Sequence, residues 1–95
     1  MRPQLLTAIE LPSQLALIPQ WDSNGISISR NFHASSFPAV ISWVVSIATE
    51  SERVDHHPDL DIRWTTLHVI LSSHDLGGLT QRDIDLAITI DLICR

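Results

Sequence analysis

A chain of 95 residues with 44% hydrophobic and 18% charged side chains is long enough for one buried core, too short for two domains, and far from the composition of disordered proteins. Its net charge of −5 comes from six basic and eleven acidic residues, with no lysine and no long run of either sign, so the clustered cations that bind a nucleic-acid backbone are missing. Cys94, the one cysteine, closes no internal disulfide, no window approaches the roughly eighteen apolar residues of a membrane span, and one early basic residue, Arg2, precedes no apolar leader; together these predict a single cytoplasmic domain over residues 1–95, with neither membrane nor nucleic acid as direct partner.

From Leu6 to Ile18 the stretch LTAIELPSQLALI has helical apolar spacing, and Thr7 with Glu10 has the spacing of a capping box. Pro12 lacks an N–H and would clash with the preceding turn of a helix already under way, so the helix is predicted to start near Pro12. In PQWDSNGISISRNFH, Asn24-Gly25 predicts a two-residue hairpin turn that sets Trp21 opposite Ile28 and Ser23 opposite Ile26. Trp21, Ile26 and Ile28 then share the covered face, and Ser27, Ser29 and Asn31 the other. From Phe37 to about Val54, the residues Phe37, Val40, Ile41, Val44, Ile47 and Ala48 recur at three- and four-residue spacing behind a Ser35 or Ser36 cap, with Pro38 in the first turn. That pattern is a helix.

The next segment, LDIRWTTLHVILSS, is apolar at even positions up to Trp64 and at odd positions from Leu67. A turn at Thr65-Thr66 accounts for the switch and predicts Trp64 opposite Leu67, Ile62 opposite Val69 and Leu60 opposite Leu71, all facing the core. A Gly77-Gly78 loop leads to a last helix with Thr80 as cap, Asp83 at the capping-box position, and Leu79 and Ile84 as its hydrophobic staple. The order is α-β-β-α-β-β-α. It predicts an α+β two-layer sandwich, a four-stranded antiparallel sheet with helices packed on one face.

The run VDHHPDLDIRW sets His56 and His57 side by side where the second helix ends. Adjacent residues share no face of a helix or strand, so such a pair marks the end of regular structure. The predicted hairpin register places His57 opposite His74, with His56 and Asp75 beside them. Three readings of this trio are open from residue chemistry. Zinc held by three imidazoles is disfavoured, because neighbouring histidines rarely ligate one ion. Solvated loop ends are the second. The third is acid–base catalysis, for which imidazole, with an unperturbed pKa of about 6.5, is the natural group. A nucleophilic triad lacks both a G-x-S-x-G serine and an internal cysteine. His68, across from Arg63 on the outer sheet face, and His33, at a strand end, read as surface residues. Glu52, one helical turn before His56, is placed to orient an imidazole or meet a ligand's donor edge. Asp75 and Asp83 read equally as capping and site residues, Pro58 as a helix stop, and Trp64 as core or pocket wall.

Together these residues resemble the pattern of the pterin-4a-carbinolamine dehydratase family, also called 4a-hydroxytetrahydrobiopterin dehydratases: an acid, three residues, His-His-Pro, then a spaced aromatic, a further His and a later Asp. Glu52, His56, His57, Pro58, Trp64, His74 and Asp83 meet every element, and a weaker likeness runs back through Trp21, Arg30, Phe32 and Phe37. Pro12 in the first helix, and Ala34-Ser35 in place of the aromatic and basic residues often seen after Phe32, depart from the family. The resemblance implies a hydro-lyase that needs no metal and no organic cofactor and converts the 4a-hydroxytetrahydropterin left by aromatic amino acid hydroxylases to quinonoid dihydropterin. It implies His56 and His74 as acid or base toward the hydroxyl and ring nitrogen, and His57 as the residue that binds and orients the pterin and assists proton transfer. Glu52, Pro58, Trp64, Asp75 and Asp83 become its substrate-binding surroundings, and a homodimer or homotetramer its assembly. The alternative from another class is a non-catalytic dimerisation or protein-binding module on the same fold; retention of Glu52 and all three histidines favours the enzyme.

Overall fold

The computed structural model describes residues 3–95; Met1 and Arg2, the latter weighed above as the charged start of a leader, lie outside the described residues. Elements follow the predicted order: α1 (Glu10–Leu15), β1 (Asp22–Ser23), β2 (Ile28–His33), α2 (Phe37–Val54), β3 (Asp59–Arg63), β4 (Thr66–Leu71) and α3 (Gln81–Ile93). The sheet is antiparallel in the order β1-β2-β4-β3, which puts β2 and β4 at its centre. Along β4 the alternation is clean: Leu67, Val69 and Leu71 are fully buried while Thr66, His68 and Ile70 are half-covered on the other face. The buried set joins Val40 and Ile47 of α2 and Ile84, Leu86, Ala87 and Ile90 of α3 in one core. Burying each Val, Leu or Ile of this set contributes about 1.5–3 kcal/mol, which holds the helical layer to the sheet. No described helix is long and apolar enough to cross a membrane.

Helix α1 starts at Glu10, two residues earlier than Pro12 suggested. The capping box that Pro12 argued against does form. Glu10 N–H donates to Thr7 Oγ1 at 3.1 Å, and Thr7 N–H donates to Glu10 Oε1 at 3.0 Å, holding the Glu10 carboxyl below its ordinary range. Pro12 falls in the first helical turn, where an N–H has no acceptor within the helix, so its ring removes no bond.

Both hairpins are displaced by two residues from the predicted pairing. In the first, Asp22 faces Ser29 and Ser23 faces Ile28, so residues 24–27 form a wider loop. Asn24 Oδ1 accepts from the N–H groups of Ile26 at 3.0 Å and Ser27 at 2.8 Å, and Gly25 takes a φ of +92°. Trp21 and Ile28 are buried as predicted, but Ile26 is exposed in the loop. In the second hairpin Ile62 faces Leu67 and Leu60 faces Val69, leaving Trp64 and Thr65 as the turn. Trp64 has a φ of +52° and is 79% exposed, so it fills neither core nor pocket wall. His68 accordingly faces Asp61, not Arg63, and bonds through Nδ1 to Asn31 Oδ1. A slip of two leaves each strand residue on its original face, so the apolar alternation that identifies the strands cannot choose between these registers.

Candidate functional site

Helix α2 begins with Ser36 Oγ accepting from Ala39 N–H at 3.2 Å, and ends through a left-handed residue, Asp55, with φ +53° and ψ +46°. The His56 N–H then reaches back to Ser51 O at 3.1 Å and the Asp55 N–H to Glu52 O at 3.4 Å, closing the last turn. Aspartate tolerates this backbone region better than most side chains do. Beyond it the two histidines part: His56 is 7% exposed, and the His57 side chain is 54% exposed.

His56 points at the first turn of α3, where its Nε2 lies 2.6 Å from Asp83 Oδ1. Asp83 is fully buried, and its other oxygen accepts from Ser73 Oγ at 2.8 Å and from Thr80 N–H at 2.9 Å. The carboxylate that caps α3 thus also holds His56. An ionised carboxylate only accepts, so Asp83 favours a His56 ring that carries a proton on Nε2 and turns Nδ1 away from it. Burying these groups is tolerable because the carboxylate receives three hydrogen bonds. Among the described residues, no buried side-chain nitrogen or oxygen lacks a partner.

In front of His56 lies a cleft of about 330 Å³, lined by Asp55, His56 and His57 from the end of α2, by Ser72, His74 and Asp75 beyond β4, and by Arg82 of α3. All three predicted histidines therefore share one cavity. Their approach differs from the predicted one, because the observed register carried outward sets His57 toward Ser72. His57 donates from Nε2 to Glu52 Oε2, so Glu52 serves the outer imidazole and not His56. His74 is exposed, with Nε2 3.7 Å from Asp59 Oδ2. Asp75 receives a bond of 3.0 Å from Arg82 Nη2. Pro58 is half-buried and outside the lining, and Trp64 stands at the hairpin tip.

Three lining residues were not foreseen: Asp55, Ser72 and Arg82. Asp55 and Arg82 each adjoin a residue that was and Ser72 lies two before His74, and their contribution arises only when the ends of α2, β4 and α3 converge. A second cavity of about 250 Å³ lies between α2 and α3, where Val54 and Leu86 meet Glu50, Arg53, Asp85 and Thr89; His56 and Arg82 border both spaces. Among the described residues no three His, Cys, Asp or Glu side chains converge as a metal site requires.

Comparison with known proteins bears on this cleft. The sequence profile of the Pterin 4 alpha carbinolamine dehydratase family matches residues 4–93. A Nocardia farcinica protein that carries the name pterin-4-alpha-carbinolamine dehydratase is 47% identical over 95 residues, spanning 100% of both chains. Its namesake from Roseiflexus sp. (strain RS-1) is 43% identical over 88 residues, or 93% of this chain and 95% of its own. Among solved structures, a transcriptional coactivator/pterin dehydratase from Brucella melitensis superposes with a TM-score of 0.90 at 26% identity, covering 97% of this chain and 100% of that one. A pterin dehydratase-like protein identified as a RuBisCO assembly factor in the alpha-carboxysome shares the fold, with a TM-score of 0.64 at 17% identity over 78% of this chain and 86% of that one.

Proposed function

The chain belongs to the pterin 4 alpha carbinolamine dehydratase family, and from that premise we propose that it dehydrates 4a-hydroxytetrahydrobiopterin to quinonoid dihydropterin and water by histidine acid–base catalysis. The observation that carries the reading is the convergence of His56, His57 and His74 on one cleft, with His56 gripped by a buried carboxylate. In the reaction the C4a–O bond breaks, and the departing oxygen takes a proton and leaves as water. The N5–H electrons form a C4a=N5 double bond as that proton passes to a base. One proton enters and one leaves, so two imidazoles in opposite protonation states complete the step without a redox partner. His56 and His74 are the pair in this proposal, one serving as acid and the other as base, and positioned proton transfer of this kind is worth about 10²–10⁴-fold in rate. His57, steadied by Glu52, binds and orients the pterin and assists the transfer. Asp83 acts through His56, whereas Pro58 and Trp64 lie outside the cleft.

The wider role we propose is recycling of the pterin used by aromatic amino acid hydroxylases, in the cytoplasm and as a homodimer or homotetramer. The assembly is supported by Phe37, Ile41 and Val45, an exposed apolar stripe at four-residue spacing along α2. The same stripe also suits the second reading, a protein-binding module, in keeping with the words transcriptional coactivator in the name of the Brucella melitensis relative. Stopped-flow loss of 4a-hydroxytetrahydropterin separates the two. Wild-type protein is expected to outpace buffer, with losses of at least about 10²-fold in His56→Ala and His74→Ala. Wild type no faster than buffer overturns the enzyme reading and leaves the binding module.

A further inference from the structure

Two consecutive residues of α3 reach back to the two residues that flank His74. Asp83 holds Ser73 through a bond of 2.8 Å from Ser73 Oγ, and Arg82 holds Asp75 through a bond of 3.0 Å from Nη2. Between these anchors the loop is closed on itself. Ser73 N–H donates to Gly78 O at 2.8 Å, Gly78 N–H returns to Ser73 O at 3.4 Å, and Gly77 supplies a φ of +71° that the turn requires. The His74 ring itself is loosely held: its side chain is 71% exposed, and its 3.7 Å separation from Asp59 exceeds a hydrogen bond. Its place in the cleft therefore follows its backbone, and its backbone follows the anchors.

Resting on the dehydratase reading above, we propose that Arg82 is a positioning residue which, through Asp75, sets His74 at its working distance from His56. Both imidazoles then take their position from one turn of α3: His56 directly from Asp83, and His74 from a loop pinned by Asp83 on one side and Arg82 on the other. This assigns the Asp75 carboxylate to the loop's tether rather than to the ligand. The pair is partly exposed, with side chains 29% and 55% accessible, so it adds little to global stability. Its value is geometric, since a displacement of about 1 Å between reacting groups can cost on the order of 10²-fold.

The test is a double-variant cycle with Arg82→Gln and Asp75→Asn, read by stopped-flow kinetics and by amide hydrogen exchange over residues 73–78. Each single change is expected to lower kcat about five- to tenfold with KM nearly unchanged, the double variant to be no slower than the slower single, and Arg82→Lys to recover part of the loss. Exchange in the loop should quicken in both variants while the rest of the chain keeps its protection. If Arg82→Gln raises KM with kcat intact and Asp75→Asn is silent, Arg82 contacts the ligand and the tether is wrong. Unchanged loop exchange also overturns the proposal, whatever the enzyme does, whereas inactive wild type overturns the dehydratase reading instead.

Discussion

The two sides of the cleft are built on opposite principles. On the inner side His56 is locked to Asp83, which also caps α3 and holds Ser73, all within the buried core. On the outer side His57 and His74 are more than half exposed, and each faces a surface carboxylate, Glu52 or Asp59. Charge interactions deprived of water are strong and costly to break, while exposed pairs are weak and yield easily. The inner side thus fixes geometry and stability together, and the outer side is free to adjust to what enters.

Changes at four positions probe that contrast. Asp83→Ala removes a helix cap and strands buried donors on His56 and Ser73, so we expect a loss of about 2–4 kcal/mol, seen as a thermal midpoint lower by more than about 10 °C. A shift below about 3 °C would mean that the inner side is no more structural than the outer. Asp55→Val forces a β-branched residue into the left-handed region and should cost about 1–2 kcal/mol in a urea titration, whereas Asp55→Gly should stay within about 0.5 kcal/mol. An equal loss in both variants would assign the effect to the carboxylate and not to the backbone.

Burial far from the cleft supplies a control. Cys94 sits in the core, where burial, helped by the nearby Asp91 carboxylate, pushes its thiol from an ordinary 9.0 up to about 12. A folded-state pKa raised above the unfolded one contributes stability that is intact below about 9 and is lost as pH climbs toward about 12. Urea midpoints should therefore fall over that window, and the fall should shrink in Cys94→Ala. The smallest effect belongs to the outer side: Glu52→Gln should alter stability by less than about 0.5 kcal/mol. Its consequence should appear in KM, by about threefold, and a larger loss of stability than of binding would dissolve the contrast.

Much of this architecture was legible from residue patterns alone. The order of elements, the Thr80 cap, a serine cap at 35 or 36 and the inward faces of β2 and β4 all follow from periodicity and capping chemistry, which act over a few residues. The two hairpin registers did not follow, because a slip of two preserves the apolar alternation, and the loop at Asn24 and the turn at Trp64 depend on backbone geometry. At α1 two local signals, Pro12 and the Thr7–Glu10 box, competed, and first-turn placement reconciles them. In the site, the histidine trio was visible through its spacing. What joins the trio was not: His56 with Asp83 spans 27 residues, and helical spacing did not say which imidazole Glu52 meets.

The proposed chemistry depends most on Asp83 holding His56 in one tautomer, so that a single ring nitrogen is presented for proton exchange. Nitrogen-15 NMR of the wild-type imidazoles near neutral pH measures this directly. The expected spectrum has the His56 proton on Nε2 with Nδ1 bare, and loses that preference in Asp83→Ala. A proton resident on Nδ1, or two tautomers equally populated in the intact protein, would contradict it.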